Sequence, residues 1–469
     1  MNRTNHSPWS GLLTIGLGAS IAPMDFAVNV AFPAITAAFE LDVQSIRWVV
    51  ICYVITYASL MLAFGKLGDV VGHRRVFHAG LLTGTLAFIA CGLAPTYDWL
   101  LVARMLQGIA TALVLSCAPA LVVAVCGEQR RTWALSRYAM MTALAGILGP
   151  IIGGAGILWL GWAGVFWFRL PVTLLALVLL TRLPGIPVPE GAPRCFDYVS
   201  SILLAGGLAL LLSAPGLWPG VTHTELPLAS GLAGIAMLAI FAMRERRDTE
   251  PLLPRSAIRD PAMLAANAAS VIVNFTGFAI PLLVPYYLVR IGGYSAVTMG
   301  LLLAMSTAGV LTASTATPRV VRALGQRRAA LLGAALVALA QGAIALWPLT
   351  PPLAFLVVGL LLHGLGLGLF QVSYTDLIVA TLPQKNRGIA GSITMLTRTI
   401  GVIIAAVILS NAVQALEARY LLAGRAATEA FHAAFSSVFQ FSGSLLAGFW
   451  ILAVVGLAIR RREQTRSPQ

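Results

Sequence analysis

Hydrophobic residues form long runs along the chain, and the polar residues are collected in short stretches between them. A helix needs about 20 mainly apolar residues to cross a bilayer. Runs of this length recur over the whole sequence, which predicts an all-α integral membrane protein. We predict fourteen spans, at residues 10–33, 48–66, 76–95, 100–124, 135–158, 163–181, 198–217, 227–243, 262–289, 297–317, 329–348, 353–380, 388–412 and 437–459.

The composition supports this interpretation. Of the 469 residues, 58% are hydrophobic and only 10% are charged, whereas soluble domains carry about a quarter charged residues. The net charge of +14 raises the alternative of nucleic-acid binding. The basic residues, however, lie in clusters such as "GHRR", "RERR" and "GQRR" between apolar runs. This arrangement orients membrane proteins, so no nucleic-acid partner is expected.

The positions of the basic residues predict a topology with both termini in the cytoplasm, as expected for a multi-pass protein of the cytoplasmic membrane. Most of the 31 Lys and Arg then fall on the inner side. Two arginines, Arg104 and Arg398, fall inside spans. The outer loops and outer span ends hold Arg47, Arg169, Arg290, Arg419 and Arg425.

Several kinds of chemistry have no sequence support. The five cysteines show no paired spacing, and Cys, His, Asp and Glu form no cluster with metal-ligand spacing. No Walker sequence ending in Gly-Lys-Ser/Thr occurs. We therefore predict neither metal nor cofactor. The first apolar run lacks a convincing cleavage site, which favours a retained first span over a signal peptide.

A weak internal repeat suggests two halves. "GKLGDVVGHRR" follows span 2 and "PRVVRALGQRR" follows span 10, with Gly72 and Gly325 at the same offset. With spans 7 and 8 as an insertion, each half has six spans, a pattern typical of secondary transporters. The predicted domains are an N-terminal bundle at 1–182, two inserted helices at 183–260 and a C-terminal bundle at 261–469.

The first of these loops resembles the loop signature of the major facilitator superfamily, carried here by Gly65, Asp69, Gly72 and Arg74. "MDFAVNVAFPAI" in span 1, "ARMLQGIATAL" in span 4 and "GILGPIIGG" in span 5 are similar to its fourteen-span drug:proton antiporter branch. The resemblance implies a major facilitator fold of two six-helix bundles plus two inserted helices. The chain departs from the branch at Val70, and at "GWAGVFWFRLP", where an Arg–Trp pair is usual.

Asp25 is the clearest candidate functional residue. It lies about fifteen residues into span 1, or roughly 22 Å deep. Carboxylates inside a membrane are costly and usually functional. Burial favours the protonated carboxyl, so Asp25 is predicted to exchange protons and to compete for a cationic substrate. A carboxylate with only structural contacts is the alternative.

Arg104 lies near the outer start of span 4, at a depth similar to that of Asp25, and is its predicted partner. A nearby cation favours the ionised form of a carboxylate. The resemblance links this arginine to proton transfer. A purely structural pair is the alternative.

In span 5, small residues at three- and four-residue spacing leave one helix face bare, so that another helix can approach closely. The resemblance implies that this face marks exporters, although ordinary span packing would need it as well. The face comprises Gly146, Gly149, Pro150, Gly153 and Gly154.

The resemblance also implies a cytoplasmic gate in which Asp69 meets the start of span 13 near Lys385, Asn386 and Arg387, where the helix dipole favours an anion. Plain solvation of Asp69 and Arg74 is the alternative. Arg398 and Asp376 are weaker candidates for coupling in the second half.

Together these features favour a proton-coupled antiporter that exports small compounds, with organic cations favoured because Asp25 is the main embedded acid. The predicted partners are protons, a small-molecule substrate and the lipid bilayer, and a monomer is expected to function. An exporter or uptake symporter of a specific metabolite is the alternative. An enzyme is disfavoured because no cluster of nucleophile, base or metal ligands lies near one membrane face.

Overall fold

The structure is a computed structural model that describes residues 8–42, 45–182, 198–213, 225–245, 261–381 and 389–466. Over these ranges the regular structure is helical. The α-helices, α1 to α17 in chain order, are Pro8–Ser20, Phe26–Ala38, Arg47–Val71, His73–Gly92, Tyr97–Cys126, Arg131–Leu160, Gly164–Trp167, Arg169–Thr181, Tyr198–Ser213, Glu225–Glu245, Pro261–Gly277, Ala279–Arg290, Ala296–Leu324, Gln326–Ala345, Leu353–Thr381, Ile389–Leu422 and Ala427–Arg466.

The predicted spans 1 and 9 are each broken into two helices. Between α1 and α2 the chain forms a 3₁₀ turn at Pro23–Asp25, because Pro23 has no N–H to donate. The Asp25 N–H donates to the carbonyl of Ala22, three residues back, at 3.0 Å. The second break separates α11 from α12 after Gly277. At both breaks, backbone groups in the middle of a long apolar segment lose their regular helical hydrogen bonds.

The chain divides into two compact units. The first comprises Met1–Leu252 with Ala296–Leu301, and the second comprises Leu253–Ser295 with Leu302–Gln469. In the first unit α1, α4 and α5 enclose an apolar core around Leu12, Phe77 and Val114. In the second unit α11, α14 and α15 enclose one around Val273, Val337 and Phe370. Helices α9 and α10 pair with each other, and α9 also packs on α3.

Large apolar side chains are exposed along many of the long helices, among them Leu158, Trp159 and Val102, which are 67%, 81% and 66% exposed. Water-facing surfaces rarely carry so much contiguous apolar area. Within the described ranges, ten helices are long and apolar enough to cross a membrane, or eleven if the bent pair Arg47–Met61 and Ala63–Val71 is one span.

The count of ten or eleven such helices is lower than the fourteen predicted spans. Two features of the chain explain the difference. The predicted spans 5 and 6 form one apolar segment, Trp133–Thr181, interrupted only by short breaks such as the 3₁₀ turn Gly161–Ala163. The two predicted inserted spans contain shorter apolar helices, Ile202–Leu211 and Leu228–Arg244.

The repeated loop sequences adopt the same backbone device in the two units. Gly72 separates α3 from α4 with φ of +104°, and Gly325 separates α13 from α14 with φ of +80°. Each glycine N–H donates to the carbonyl four residues back, at 2.9 and 2.8 Å. A positive φ is costly for residues with a Cβ atom, which explains why glycine stands at both positions.

Candidate functional site

The break in the first span presents Asp25 to the interior of the first unit. Asp25 ends the 3₁₀ turn and immediately precedes α2, so its carboxylate lies near the positive end of that helix dipole. The side chain is 13% exposed. The continuous first helix that we assumed in estimating its depth is wrong, because Pro23 interrupts it.

Arg104 on α5 binds Asp25 with both terminal nitrogens. Its Nη1 donates to Asp25 Oδ1 at 2.7 Å and its Nη2 donates to Oδ2 at 2.8 Å. The Arg104 side chain is fully buried. Its Nε donates to the Val49 carbonyl at 2.8 Å, and its guanidinium lies 4.3 Å from the centre of the Tyr53 ring. Helix α3 therefore fixes the orientation of this arginine.

Arg169 is a second cation on the same carboxylate. Its Nη1 donates to Asp25 Oδ1 at 2.7 Å, and its Nη2 donates to the Met24 carbonyl at 3.3 Å. The Arg169 side chain is fully buried, and its place among the basic residues at the outer span ends did not predict this contact. The short helix α7 precedes Arg169 and contributes Phe166, which lies beside its guanidinium.

Gln107, one helical turn after Arg104, completes this set. Its Nε2 donates to Asp25 Oδ1 at 2.8 Å, and its Oε1 accepts from Arg104 Nη1 at 2.6 Å. Sequence reasoning missed Gln107, although its place three residues after Arg104 puts both side chains on one helix face. We call Asp25, Arg104, Gln107 and Arg169 the Asp25 cluster.

The Asp25 cluster holds two guanidinium groups and one carboxylate, so its formal charge is positive when Asp25 is ionised. A buried ion pair is favourable only with good geometry and satisfied hydrogen bonds, and both carboxylate oxygens here accept charge-assisted bonds. Protonation of Asp25 would remove the negative charge that holds both arginines. The carboxylate is thus occupied by protein donors rather than open to an external cation.

The bare face of α6 packs directly on the broken first span. A Cβ atom at Gly149 would lie 2.9 Å from the Met24 carbonyl oxygen, and one at Gly153 would lie 2.6 Å from the Ala27 Cβ. Met24 and Ala27 flank Asp25. The other members of this face, Gly146, Pro150 and Gly154, are buried as well. The close approach of α6 therefore supports the backbone that carries Asp25.

The signature loop makes contacts within the first unit. Asp69 Oδ1 lies 3.2 Å from His73 Nε2, with the Asp69 side chain 53% exposed. Arg74 Nη2 donates to the Leu180 carbonyl at 3.0 Å, near the end of α8. Gly65 has room for a side chain, since a Cβ there would meet only Ser116, at 3.9 Å.

The predicted gate partners of Asp69 at the start of span 13 lie outside the described residues. They are Lys385, Asn386 and Arg387.

Asp376 and Arg398, the candidate coupling residues of the second half, do not form an ion pair with each other. Asp376 is exposed, and its Oδ2 accepts from Gln326 Nε2 at 2.8 Å. Arg398 lies half-buried on α16, and the described residues contain no ion pair between it and Asp376. The described part of the chain also contains no group of three His, Cys, Asp or Glu placed to hold a metal ion.

Long apolar helices with ionised side chains buried among them are characteristic of membrane transport proteins. This chain belongs to the Major Facilitator Superfamily, whose sequence model matches residues 13–406. The resemblance noted in the sequence is thereby confirmed at the level of the superfamily.

Individual relatives are more distant. The tetracenomycin C resistance and export protein of Streptomyces glaucescens is 28% identical over 399 residues, which are 84% of this chain and 74% of that protein. The riboflavin transporter RibZ of Clostridioides difficile is 24% identical over 82% of this chain and 83% of its own length. These two proteins are named for different compounds, tetracenomycin C and riboflavin.

Among solved structures, a bacterial homolog of the human lysosomal transporter Spinster, in an inward-facing and unoccupied conformation, matches with a TM-score of 0.71. It is 16% identical, and the match covers 95% of this chain and 96% of that one. At this identity the match supports the all-helical fold alone.

Proposed function

We propose that the protein is a proton-coupled antiporter that exports small amphiphilic compounds across the cytoplasmic membrane. It would have fourteen spans in two six-helix bundles with two inserted helices, both termini in the cytoplasm, and the monomer as working unit. The observation that carries this proposal is the Asp25 cluster, in which one buried carboxylate holds two arginines from different helices. The drug-export relative from Streptomyces favours export as the direction.

The charge balance of the cluster supports proton coupling. When Asp25 is ionised, Arg104 and Arg169 are bound to it at 2.7 Å. When Asp25 takes up a proton, the attraction falls and the helices that carry the arginines gain freedom to move. A proton thus favours one arrangement of the first unit, and deprotonation favours the other.

The substrate class changes in view of the cluster geometry. We favoured organic cations because Asp25 was the main embedded acid. With two arginines on Asp25, an approaching cation meets an excess of positive charge, and like charges disfavour its binding. We therefore propose amphiphilic substrates without requiring a positive charge. The riboflavin transporter among the relatives supports a second candidate function, transport of one specific metabolite.

The test is proton-driven uptake into everted membrane vesicles, with ethidium and riboflavin as fluorescent probes. Asp25→Asn keeps the size of the side chain and removes its titration, so we expect loss of gradient-driven transport with normal expression. Asp98→Asn changes an exposed acid on α5 outside the Asp25 cluster and is the matched control, which should transport normally. Wild-type transport by Asp25→Asn, with the same dependence on the proton gradient, would refute the proposal.

A further inference from the structure

Polar side chains from two neighbouring helices approach the broken span of the second unit, and none of them belongs to the Asp25 cluster. At its break, Thr276 and Gly277 end α11. The Thr276 carbonyl accepts from Gln341 Nε2 on α14 at 2.8 Å. His363 on α15 points its Nε2 at Gly277, where a Cβ would lie 3.2 Å away. Helices α14 and α15 therefore each direct one polar side chain at the end of α11.

Each of these side chains has one buried atom without a hydrogen-bond partner, Gln341 Oε1 and His363 Nε2. Gln341 is fully buried and His363 is 3% exposed. More than nine in ten buried polar groups in proteins are paired, and each exception is costly. Two exceptions that reach one helix break indicate a place where another molecule supplies the missing partner.

The other ring nitrogen of His363 is occupied. Ser306 Oγ on α13 lies 3.0 Å from His363 Nδ1. If the serine hydroxyl donates to Nδ1, then Nε2 carries the hydrogen and is a donor; in the other tautomer Nε2 is an acceptor. Gln341 Oε1 is an acceptor in both cases. A group that both donates and accepts, such as a hydroxyl or an amide, fits either tautomer.

The helices that carry these polar atoms place no charge near them; Arg398 on α16, which also packs on α11, follows Thr397, whose hydroxyl lies 3.0 Å from that of Ser270, about 10 Å along α11 from Gly277. Helix α11 contains no ionisable residue. On α13, α14 and α15 the nearest charged residues are Arg319, Arg328 and Asp376, each roughly 20 Å along its helix from the polar atom concerned. A charged ligand group would thus lack a counter-ion on these helices, and burying an unpaired charge is far more costly than burying a hydroxyl.

We propose that His363 and Gln341, at the break after Gly277, form a binding site for an uncharged hydroxyl or amide group of the transported compound. This inference rests on the proposed transport function and names the chemistry of its substrate. Gly277 allows His363 to approach the break closely, because a Cβ there would lie 3.2 Å from Nε2. Both side chains are buried in this structure, so the helices around the break would have to separate to admit a ligand.

The test is equilibrium binding of riboflavin, which is uncharged and carries hydroxyl and amide groups, to the full-length protein purified in detergent. Loss of one neutral hydrogen bond corresponds to about a three- to tenfold weaker affinity. We expect this loss for His363→Leu and for Gly277→Ala, whose Cβ would crowd His363 Nε2 at 3.2 Å. We expect partial recovery for His363→Gln. Gly342→Ala is the matched control, since no atom lies within 4 Å of a Cβ there.

Three outcomes would overturn the proposal. Riboflavin could fail to bind the wild-type protein. Riboflavin affinity could be equal in all variants, in which case the polar atoms serve only an ordered water. Ethidium, which has no hydroxyl or amide group, could lose affinity together with riboflavin in the His363 and Gly277 variants at an unchanged melting temperature. The site would then not recognise those groups. Asp25→Asn should still bind riboflavin, so failure of proton coupling and failure of this site are distinguishable.

Discussion

Replacing Gly149 by alanine should disturb the Asp25 cluster from a distance. The added Cβ would lie 2.9 Å from the Met24 carbonyl oxygen and 3.0 Å from the Met24 Cα. Comfortable carbon contacts are about 3.5–4.0 Å, so the two helices must separate by roughly 0.5–1 Å. Both contacts are backbone atoms, which a change of side-chain rotamer cannot relieve. Overpacking of this kind costs about 1–3 kcal/mol.

The displacement acts directly on the residue before Asp25. A shift of this size could lengthen the 2.7 Å bond from Arg169 to Asp25 to about 3.2–3.7 Å, at or beyond the upper end of the usual range for N–H···O bonds, about 2.7–3.2 Å. Since 1.4 kcal/mol corresponds to a tenfold change in an equilibrium, a cost of about 1–3 kcal/mol predicts that gradient-driven transport falls by about five- to 140-fold.

The assay is dye transport driven by a pH gradient in proteoliposomes, measured beside the melting temperature of the same preparation. Gly448→Ala is the control, because no heavy atom lies within 4 Å of a Cβ at that position. It should transport like the wild type. If Gly149→Ala transports at the wild-type rate with an unchanged pH profile, then the contact between α6 and the broken first span does not position Asp25, and the reasoning fails.

Two further predictions concern charge and backbone. Arg169→Gln removes a cation from Asp25, which makes protonation easier; a charge-assisted bond of about 1.5–3 kcal/mol corresponds to an upward shift of about one to two pH units in the transport midpoint. Arg290→Gln, on an exposed ion pair, should leave that midpoint unchanged, and a downward shift for Arg169→Gln would contradict the pairing. Gly72→Ala forces a Cβ into a positive-φ conformation and should cost about 1–2 kcal/mol, seen as a lower melting temperature. Gly65→Ala, which has room, should melt normally, and equal melting of the two variants would argue against the strained turn.

The sequence located the central pair of the site because depth can be counted along regular helices. Asp25 and Arg104 were placed at similar depths, and the structure brings them into contact. Counting did not identify Arg169 as a partner of Asp25, because a short helix and the start of a new one alter the path of the chain between Gly161 and Arg169. Hydrophobicity reports that a segment is apolar, but it does not report where the helix axis breaks.

The repeated loops show the complementary case. Gly72 and Gly325 were recognised as equivalent from spacing alone, and both adopt positive φ at a helix junction. Backbone conformation of this kind is local, so a residue type predicts it. The unpaired atoms of Gln341 and His363 could not be predicted, because they depend on how three helices from distant parts of the chain meet at one break.

The order of residues in the Asp25 cluster also bears on how the protein is made. Arg104 follows Asp25 by 79 residues and Arg169 follows it by 144. At about 5–20 residues per second, the ribosome needs roughly 4–16 s to supply the first partner and 7–29 s to supply the second. During this interval the first helix must enter the bilayer with its acid still unpartnered. We expect it either to do so protonated or to wait beside the insertion machinery until the arginines arrive. If it waits, the first span would complete its integration only after the predicted sixth span has been synthesised.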